Sequence, residues 1–397
     1  MIPYGRHWID DDDIKAVVEV LKSDWLTQGP KIDEFEKALA EYCGAKYAVA
    51  ISNGTAALHL ACLAAGIKEK DEVVTTPITF VASANCIVYC GGSPVFADID
   101  MVTYNIDPAE IKSKITPKTQ AIIPVHFAGI PCDMEEIKEI AKKHDLIIIE
   151  DACHALGAEY QANGEWVKIG SCRHSDMTVF SFHPVKHITT GEGGAILTNN
   201  QQLYEKLLLL RTHGITKNAQ KFVNKNMAFS NDFGPLRANP WYYEMHALGF
   251  NYRLTDIQCA LGLSQLNKLD KFVARRRTIA SMYSEAFKKI EYVKTPIEPE
   301  TKKSAYHLYV LQIDFEKIGK SRVRVMTELM EVGIGTQVHY IPVYMQPYYG
   351  NERNYNKQRC AVVEQYYGKA LSIPLYPKMT DVEVTKVINS VKGCLNV

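Results

Sequence analysis

The sequence predicts an α/β fold with two units: a large domain over residues 1–250 built on a mostly parallel sheet, and a smaller α/β domain over 251–397. Two observations carry this. Short runs rich in valine and isoleucine recur at 47–51 (YAVAI), 72–75 (EVVT), 121–125 (AIIPV) and 146–150 (LIIIE), with helical stretches such as 55–65 and 133–144 between them, which is the alternation of βαβ units. After about residue 250 the texture changes to a long helix, a strand-like run and a proline-broken tail.

Taken in order, residues 12–22 follow an aspartate-rich cap and read as an amphipathic helix. Residues 31–43 read as a second, with TQGP at 27–30 as the turn between them. The βαβ region follows, and ligands are expected along the carboxyl ends of its strands. Residues 214–250 lack periodicity and carry asparagine, proline and aromatic residues; they read as a long surface excursion that serves function or subunit contact. A helix over 255–289, interrupted near 270, leads to YHLYVLQI at 306–313 and a helix at 320–332. The last helix opens at TDVE, 380–383, where Thr380 can cap and Glu383 can close a capping box.

Composition narrows the function classes. The 397 residues are 47% hydrophobic, enough for a large core, and 45 basic residues balance 45 acidic ones. No net field favours nucleic acid or an anionic membrane, so a charged ligand must be recognised locally. The ten cysteines include no CxxC pair and no zinc-like alternation with histidine, so no metal is expected and a reducing cytoplasm is the expected compartment. No apolar run reaches bilayer-spanning length.

Three separated segments carry candidate chemistry. In SNGTAALHLA, residues 52–61, a glycine turn after a strand opens a helix whose first turn holds Thr55 and Ala56, an arrangement that attracts phosphate. In IIIEDACHALGA, residues 147–158, Asp151 stands where a strand ends, placed to hold a protonated ring nitrogen, and His154 follows three residues later. In FSFHPVKHITTGEGGAI, residues 180–196, Lys186 lies among Ser181, His183, Thr189 and Thr190; an imine-forming lysine needs orienting neighbours and partial desolvation. Each segment alone has an ordinary explanation: a helix after a turn, a cap, a solvated charge. Together they supply contacts for the phosphate, the ring nitrogen and the aldehyde of pyridoxal 5'-phosphate (PLP). Phe80, in TTPITFVASAN, is placed either to stack on the ring or to fill core.

These residues, with WLTQGPKIDEFE, GGSPVFADID, AIIPVHFAGIPCDM, GFNYRLTDIQCALG and LSIPLYPKMTD, resemble the DegT/DnrJ/EryC1/StrS sugar aminotransferases over nearly the whole chain. The resemblance implies a fold type I PLP-dependent aminotransferase, like aspartate aminotransferase in fold. It implies that Lys186 forms the imine, Asp151 pairs with the ring nitrogen, His154 meets the ring oxygen and Phe80 stacks on the ring. Thr55, Ala56 and Ser181 would bind phosphate, and Asn251 would reach the phosphate of a neighbouring subunit, implying a homodimer with shared active sites. Within the family, HPVKHITTGEGGAILTNN, EDACHALGA and GTQVHYIPVYMQPYY look most like the transaminase of pseudaminic acid biosynthesis, with L-glutamate as donor and a UDP-linked 4-keto-6-deoxy-L-N-acetylhexosamine as acceptor. Another nucleotide-linked keto-sugar, or dehydration on the same fold, is the alternative; relatives with histidine at the lysine position act as dehydratases, and this chain keeps Lys186. Many relatives carry glutamine where this chain has His154. Candidates for the nucleotide-sugar are His183, Arg211, His213, Lys217, Arg253, His339 and Tyr340.

Overall fold

A computed structural model describes residues 1–397 except 233, 353–354 and 356–359. The first helix, Asp11–Leu21, is capped by Asp10, whose side chain accepts from the Asp13 amide while Asp13 reciprocates. The second, Pro30–Cys43, begins with proline, where a missing N–H costs nothing, and ends at Gly44 in the left-handed region (φ 78°). The expected strands appear at Tyr47–Ile51, Glu72–Thr75, Thr119–Ile123 and Ile147–Asp151.

Three further strands complete a seven-stranded sheet: Ser93–Phe96, Met177–Ser181 and Gly194–Thr198. In spatial order the strands start at residues 47, 194, 177, 147, 119, 72 and 93. Strand Gly194–Thr198 runs antiparallel to both its neighbours, and the other six share one direction. The carboxyl ends of the strands ending at Ile51, Thr75, Asp151 and Ser181 therefore lie along one edge. Every residue of Gly194–Thr198 is buried, so its sequence shows no alternation.

The smaller unit has its own core. Strands Val293–Lys294, Tyr309–Ile313 and Ala370–Ile373 form an antiparallel sheet, covered by helices Arg322–Glu331 and Asp381–Cys394 through Val325, Leu329, Val384, Val387 and Val391. The capping box of Thr380 and Glu383 is formed. The two cores do not divide at residue 250. Helix Asp256–Leu266 and the start of helix Leu269–Phe287 place Cys259, Leu266, Leu269 and Val273 in the large core, while Ile2 at the other end of the chain packs in the small one. Helix Leu269–Phe287 thus belongs to both, because Ile279, Ala280, Tyr283 and Phe287 face the small core.

The described residues of 214–250 form a surface excursion with two short ribbons, Ile215–Thr216 with Glu244–Met245 and Phe229–Ser230 with Arg237–Ala238. Val223, Leu236, Trp241 and Leu248 are exposed there. Among the described residues no helix is long and apolar enough to cross a membrane.

Candidate active site

Asp151 ends its strand and is 5% exposed. One carboxylate oxygen accepts from Ser83 Oγ at 2.6 Å, the other from the Cys153 amide at 3.1 Å. Ser83 is itself bonded to Thr79 Oγ1 at 2.7 Å, so a buried pair of hydroxyls orients the carboxylate. These charge-assisted bonds leave lone pairs on both oxygens free for a cationic N–H donor.

Helix Gly54–Ala65 begins beside Ser181 at the end of its strand. Asn53 caps it, accepting the Ala56 amide at 2.8 Å. The Ala56 N–H is thereby engaged, and the open amides of the first turn are those of Gly54 and Thr55. Gly54 is required by closeness: an added Cβ would stand 2.9 Å from Ser181 Cβ and 3.4 Å from Cys153 Sγ. The terminus opens on a recess of about 410 Å³ lined by Asn53, Thr55, Ala56, His59, Tyr89 and Tyr252.

Lys186 sits in a loop whose hydroxyls act on backbone. Thr189 Oγ1 and the Thr190 amide both donate to the Phe182 carbonyl at 3.0 Å, and Thr190 Oγ1 donates to Glu192 O. These threonines fix the loop and leave the lysine amine to other partners. Its Nζ lies 3.4 Å from His307 Nε2, a residue from the segment leading into the small-unit strand Tyr309–Ile313. Burial lowers the pKa of Lys186, the guanidinium of Arg276 adds to the effect, and Cys153 and Asp151 partly oppose it. A larger neutral fraction near neutral pH follows.

His154 and His307 stack near each other, ring centroids 4.3 Å apart, and His154 Nε2 meets Tyr340 Oη at 3.2 Å. His339, also from the small unit, bonds Ser372 Oγ at 2.8 Å. Burial, followed by the charge of Lys186, pushes His339 down to about 3 and holds His154 and His307 well below the usual histidine range. His187 is held low by burial first and then by Arg276. The lysine is surrounded by neutral imidazoles.

The expected residues separate accordingly. Lys186, Asp151, His154, Ser181, Thr55, Ala56, His339 and Tyr340 surround one region formed by the sheet edge and the small unit. Phe80 is 58% exposed, with Tyr340 as its aromatic neighbour at 6.4 Å, so the core alternative does not hold. Arg211 is a correction: it donates to Glu36 and, at 3.0 Å, to the Ala50 carbonyl, tying helix Pro30–Cys43 to strand Tyr47–Ile51 instead of lining the site. His183, His213 and Lys217 are exposed. Asn251 is exposed too, on a segment held along the end of the first strand by Ser52 N bonded to Tyr252 O and by the pairing of Ile51 with Arg253. Ser83, His187 and His307 were missed. Ser83 carries no local signal beyond its place in the helix after Phe80, and the two histidines become partners of the site only when distant segments meet.

The donor set fits PLP: a partly buried lysine with a lowered pKa, a fixed carboxylate, open amides at a helix terminus beside a serine, and a buried His154 Nδ1 without a partner among the described residues.

Comparison with known proteins agrees. The family model "DegT/DnrJ/EryC1/StrS aminotransferase family" matches residues 7–392. The chain is similar to the spore coat polysaccharide biosynthesis protein SpsC of Bacillus subtilis, 42% identical over 98% of this chain and 96% of that one. It is also similar to the UDP-4-amino-4,6-dideoxy-N-acetyl-beta-L-altrosamine transaminase of Campylobacter jejuni, 40% identical over 96% and 93%. Among solved structures, Helicobacter pylori PseC, an aminotransferase involved in the biosynthesis of pseudaminic acid, superposes with a TM-score of 0.88 at 33% identity, covering 100% of this chain and 99% of that one. Spr1654 of Streptococcus pneumoniae in its PLP form gives 0.85 at 29%, covering 100% and 98%. With a family model matched from residue 7 to 392, and relatives 40% and 42% identical over nearly their whole length, the chain belongs to the DegT/DnrJ/EryC1/StrS aminotransferase family and is a PLP-dependent sugar aminotransferase.

Proposed function

We propose that this chain transfers the amino group of L-glutamate to C4 of a UDP-linked 4-keto-6-deoxy-L-N-acetylhexosamine, as a cytoplasmic homodimer with shared active sites. The observation that carries the substrate is the 40% identity, over nearly the full length of both chains, to a transaminase named for a UDP-linked 4-amino-4,6-dideoxy-N-acetylhexosamine, the aminated form of such a sugar. The exposed apolar residues of the 214–250 excursion, with Asn251 beside them, support the dimer.

When bound, PLP supplies a carbonyl that takes up amino groups and a ring that accepts an electron pair. The residues of this chain do the rest. Asp151, oriented by Ser83, holds a proton at the ring nitrogen, a stabilisation felt most when the ring carries extra electron density. Thr55, with the open amides of Gly54 and Thr55 and Ser181, holds the phosphate. Lys186, freed from the cofactor, removes a proton from the donor's α carbon and returns one at C4 of the sugar in the reverse half, so one base serves both directions. His339 and Tyr340 bring the small unit to the sugar end of the site, and Arg253 is a cation for the diphosphate.

A second reading, amination of another nucleotide-linked keto-sugar, draws on the 42% identity to a relative named for spore coat polysaccharide biosynthesis and not for the altrosamine sugar. Absorbance of the holoenzyme separates the readings. Loss of the yellow band with L-glutamate and its return with the UDP-4-keto sugar, with one 2-oxoglutarate formed per sugar consumed, is the expected result. Bleaching without return rejects this sugar, and consumption of sugar without 2-oxoglutarate means dehydration.

A further inference from the structure

We propose that His307, contributed by the small unit, is a positioning residue that docks the Lys186 amine whenever it is not bonded to the cofactor, and that it serves because a neutral imidazole can keep one hydrogen bond to Nζ in either lysine protonation state. The inference rests on Lys186 being the imine-forming lysine.

The geometry begins with the 3.4 Å contact between Lys186 Nζ and His307 Nε2. His307 is buried, and its other ring nitrogen has no partner among the described residues. The ring is therefore committed to the lysine on one side only. An ammonium group has three donors and no acceptor, whereas a neutral amine also accepts. Imidazole accepts from the first through Nε2 and donates to the second from the same atom once the ring proton sits there. A carboxylate at this position would hold the lysine as ammonium and oppose its action as a base.

The backbone around His307 is held too firmly for the contact to be incidental. The Ala305 amide donates to Gly129 O at 3.0 Å, and Arg276 Nη1 reaches the carbonyls of Tyr306 at 3.2 Å and His307 at 3.3 Å. His187 Nε2 contacts Ala305 O at 3.1 Å. Gly129, at φ 103°, lies so close that an added Cβ would stand 3.0 Å from the His307 amide and 2.9 Å from His154 O. The small-unit segment is thus clamped onto the large-unit loop beneath His154, and its imidazole points at the lysine.

Other groups face Lys186 from each packed element: Asp151 and Cys153 from the strand end, Arg276 from the long helix, His187 from its own loop, and His154 and His339 across the site. Beside them, His307 is the residue with a hydrogen-bonding contact to Nζ among the described residues.

The test uses the full chain loaded with pyridoxamine phosphate, in which Lys186 is free. The rate of Lys186 acylation by acetic anhydride is followed against pH by mass spectrometry in wild type, His307→Leu and His307→Gln. Leucine removes the hydrogen-bond acceptor that the Lys186 ammonium has among the described residues, so the labelling midpoint falls by about one pH unit. Glutamine, whose amide both accepts and donates, retains the wild-type midpoint to within a few tenths. In turnover, His307→Leu lowers kcat about tenfold with little change in KM for the donor, and His307→Gln recovers most of it. A leucine profile that superimposes on wild type overturns the proposal, as does a glutamine variant that folds normally but shifts like leucine. Should the leucine variant not fold, His307→Asn takes its place, and its shorter amide shifts the midpoint part of the way. Borohydride reduction of wild type loaded with PLP is read first: if the cofactor is not trapped on Lys186, the assignment of the lysine fails, and with it this inference.

Discussion

Replacing Arg211 with methionine tests whether this cation is architectural or a substrate ligand. Its guanidinium lies 13% exposed against a Glu36 carboxylate that is 9% exposed, and Glu36 also accepts the Ala50 amide at 2.7 Å. Burial raises the pKa of Glu36, with Arg211 opposing the rise. Removing one partner of such a pair leaves an uncompensated buried charge, a loss of about 3–5 kcal/mol. Proton uptake sets a ceiling on that loss. From the ordinary pKa of 4.5, protonating Glu36 costs about 4 kcal/mol at pH 7.5 and about 1.4 kcal/mol at pH 5.5. The sign follows from linkage: in Arg211→Met the folded pKa of Glu36 rises further above its unfolded value, so the folded variant gains relative stability as pH falls. Urea denaturation is therefore expected to show a deficit of about 3–4 kcal/mol at pH 7.5 that shrinks to about 1.5 kcal/mol at pH 5.5. The double variant Glu36→Gln/Arg211→Met recovers most of the loss, because an amide oxygen still accepts from Ala50 N–H. If Arg211→Met unfolds like wild type at pH 7.5 while KM for the nucleotide-sugar rises tenfold or more, the architectural assignment is wrong.

Three further outcomes are expected. Lys186→Ala and Lys186→Arg abolish turnover with unchanged circular dichroism, and turnover by either variant at more than about a hundredth of the wild-type rate would remove the lysine from its role. Gly54→Ala forces a Cβ to within 2.9 Å of Ser181, costs about 1–3 kcal/mol of stability and weakens cofactor retention about tenfold; a fluorescence titration with PLP that matches wild type would show that the terminus does not hold the phosphate. Acid destabilises the fold, because His339 is neutral down to about pH 3 in the folded chain and takes a proton near the ordinary histidine value of 6.5 when unfolded. Between those values the unfolded state binds more protons, so stability falls by about 1.4 kcal/mol per pH unit from this residue alone as pH drops below about 6.5, with His154, His187 and His307 acting in the same direction. His339→Gln flattens that slope, and a urea midpoint that does not move between pH 7.5 and 5.5 would mean these imidazoles are not buried neutral.

The sequence by itself determined the α/β class, four strands of the large sheet and the capped helices, and it pointed to the large-unit residues of the candidate site. Those features depend on neighbours along the chain: β-branched runs at Tyr47–Ile51 and Ile147–Asp151, the Asn53–Gly54 turn into a helix, the Thr380–Glu383 box. Local signals failed where burial on both faces erased alternation, as in Gly194–Thr198, and where one helix serves two cores, as Leu269–Phe287 does. They failed as well for residues whose meaning depends on a distant partner. Arg211 looks the same in sequence whether it meets a diphosphate or Glu36, and Ser83 is one hydroxyl among many until the fold sets it 2.6 Å from Asp151. Tertiary structure alone decided that the lysine is approached by His307 from the small unit and ringed by imidazoles kept neutral by burial. Desolvation and hydrogen-bond partnership are set by which segments pack together, a property of contacts between residues more than a hundred positions apart in the chain.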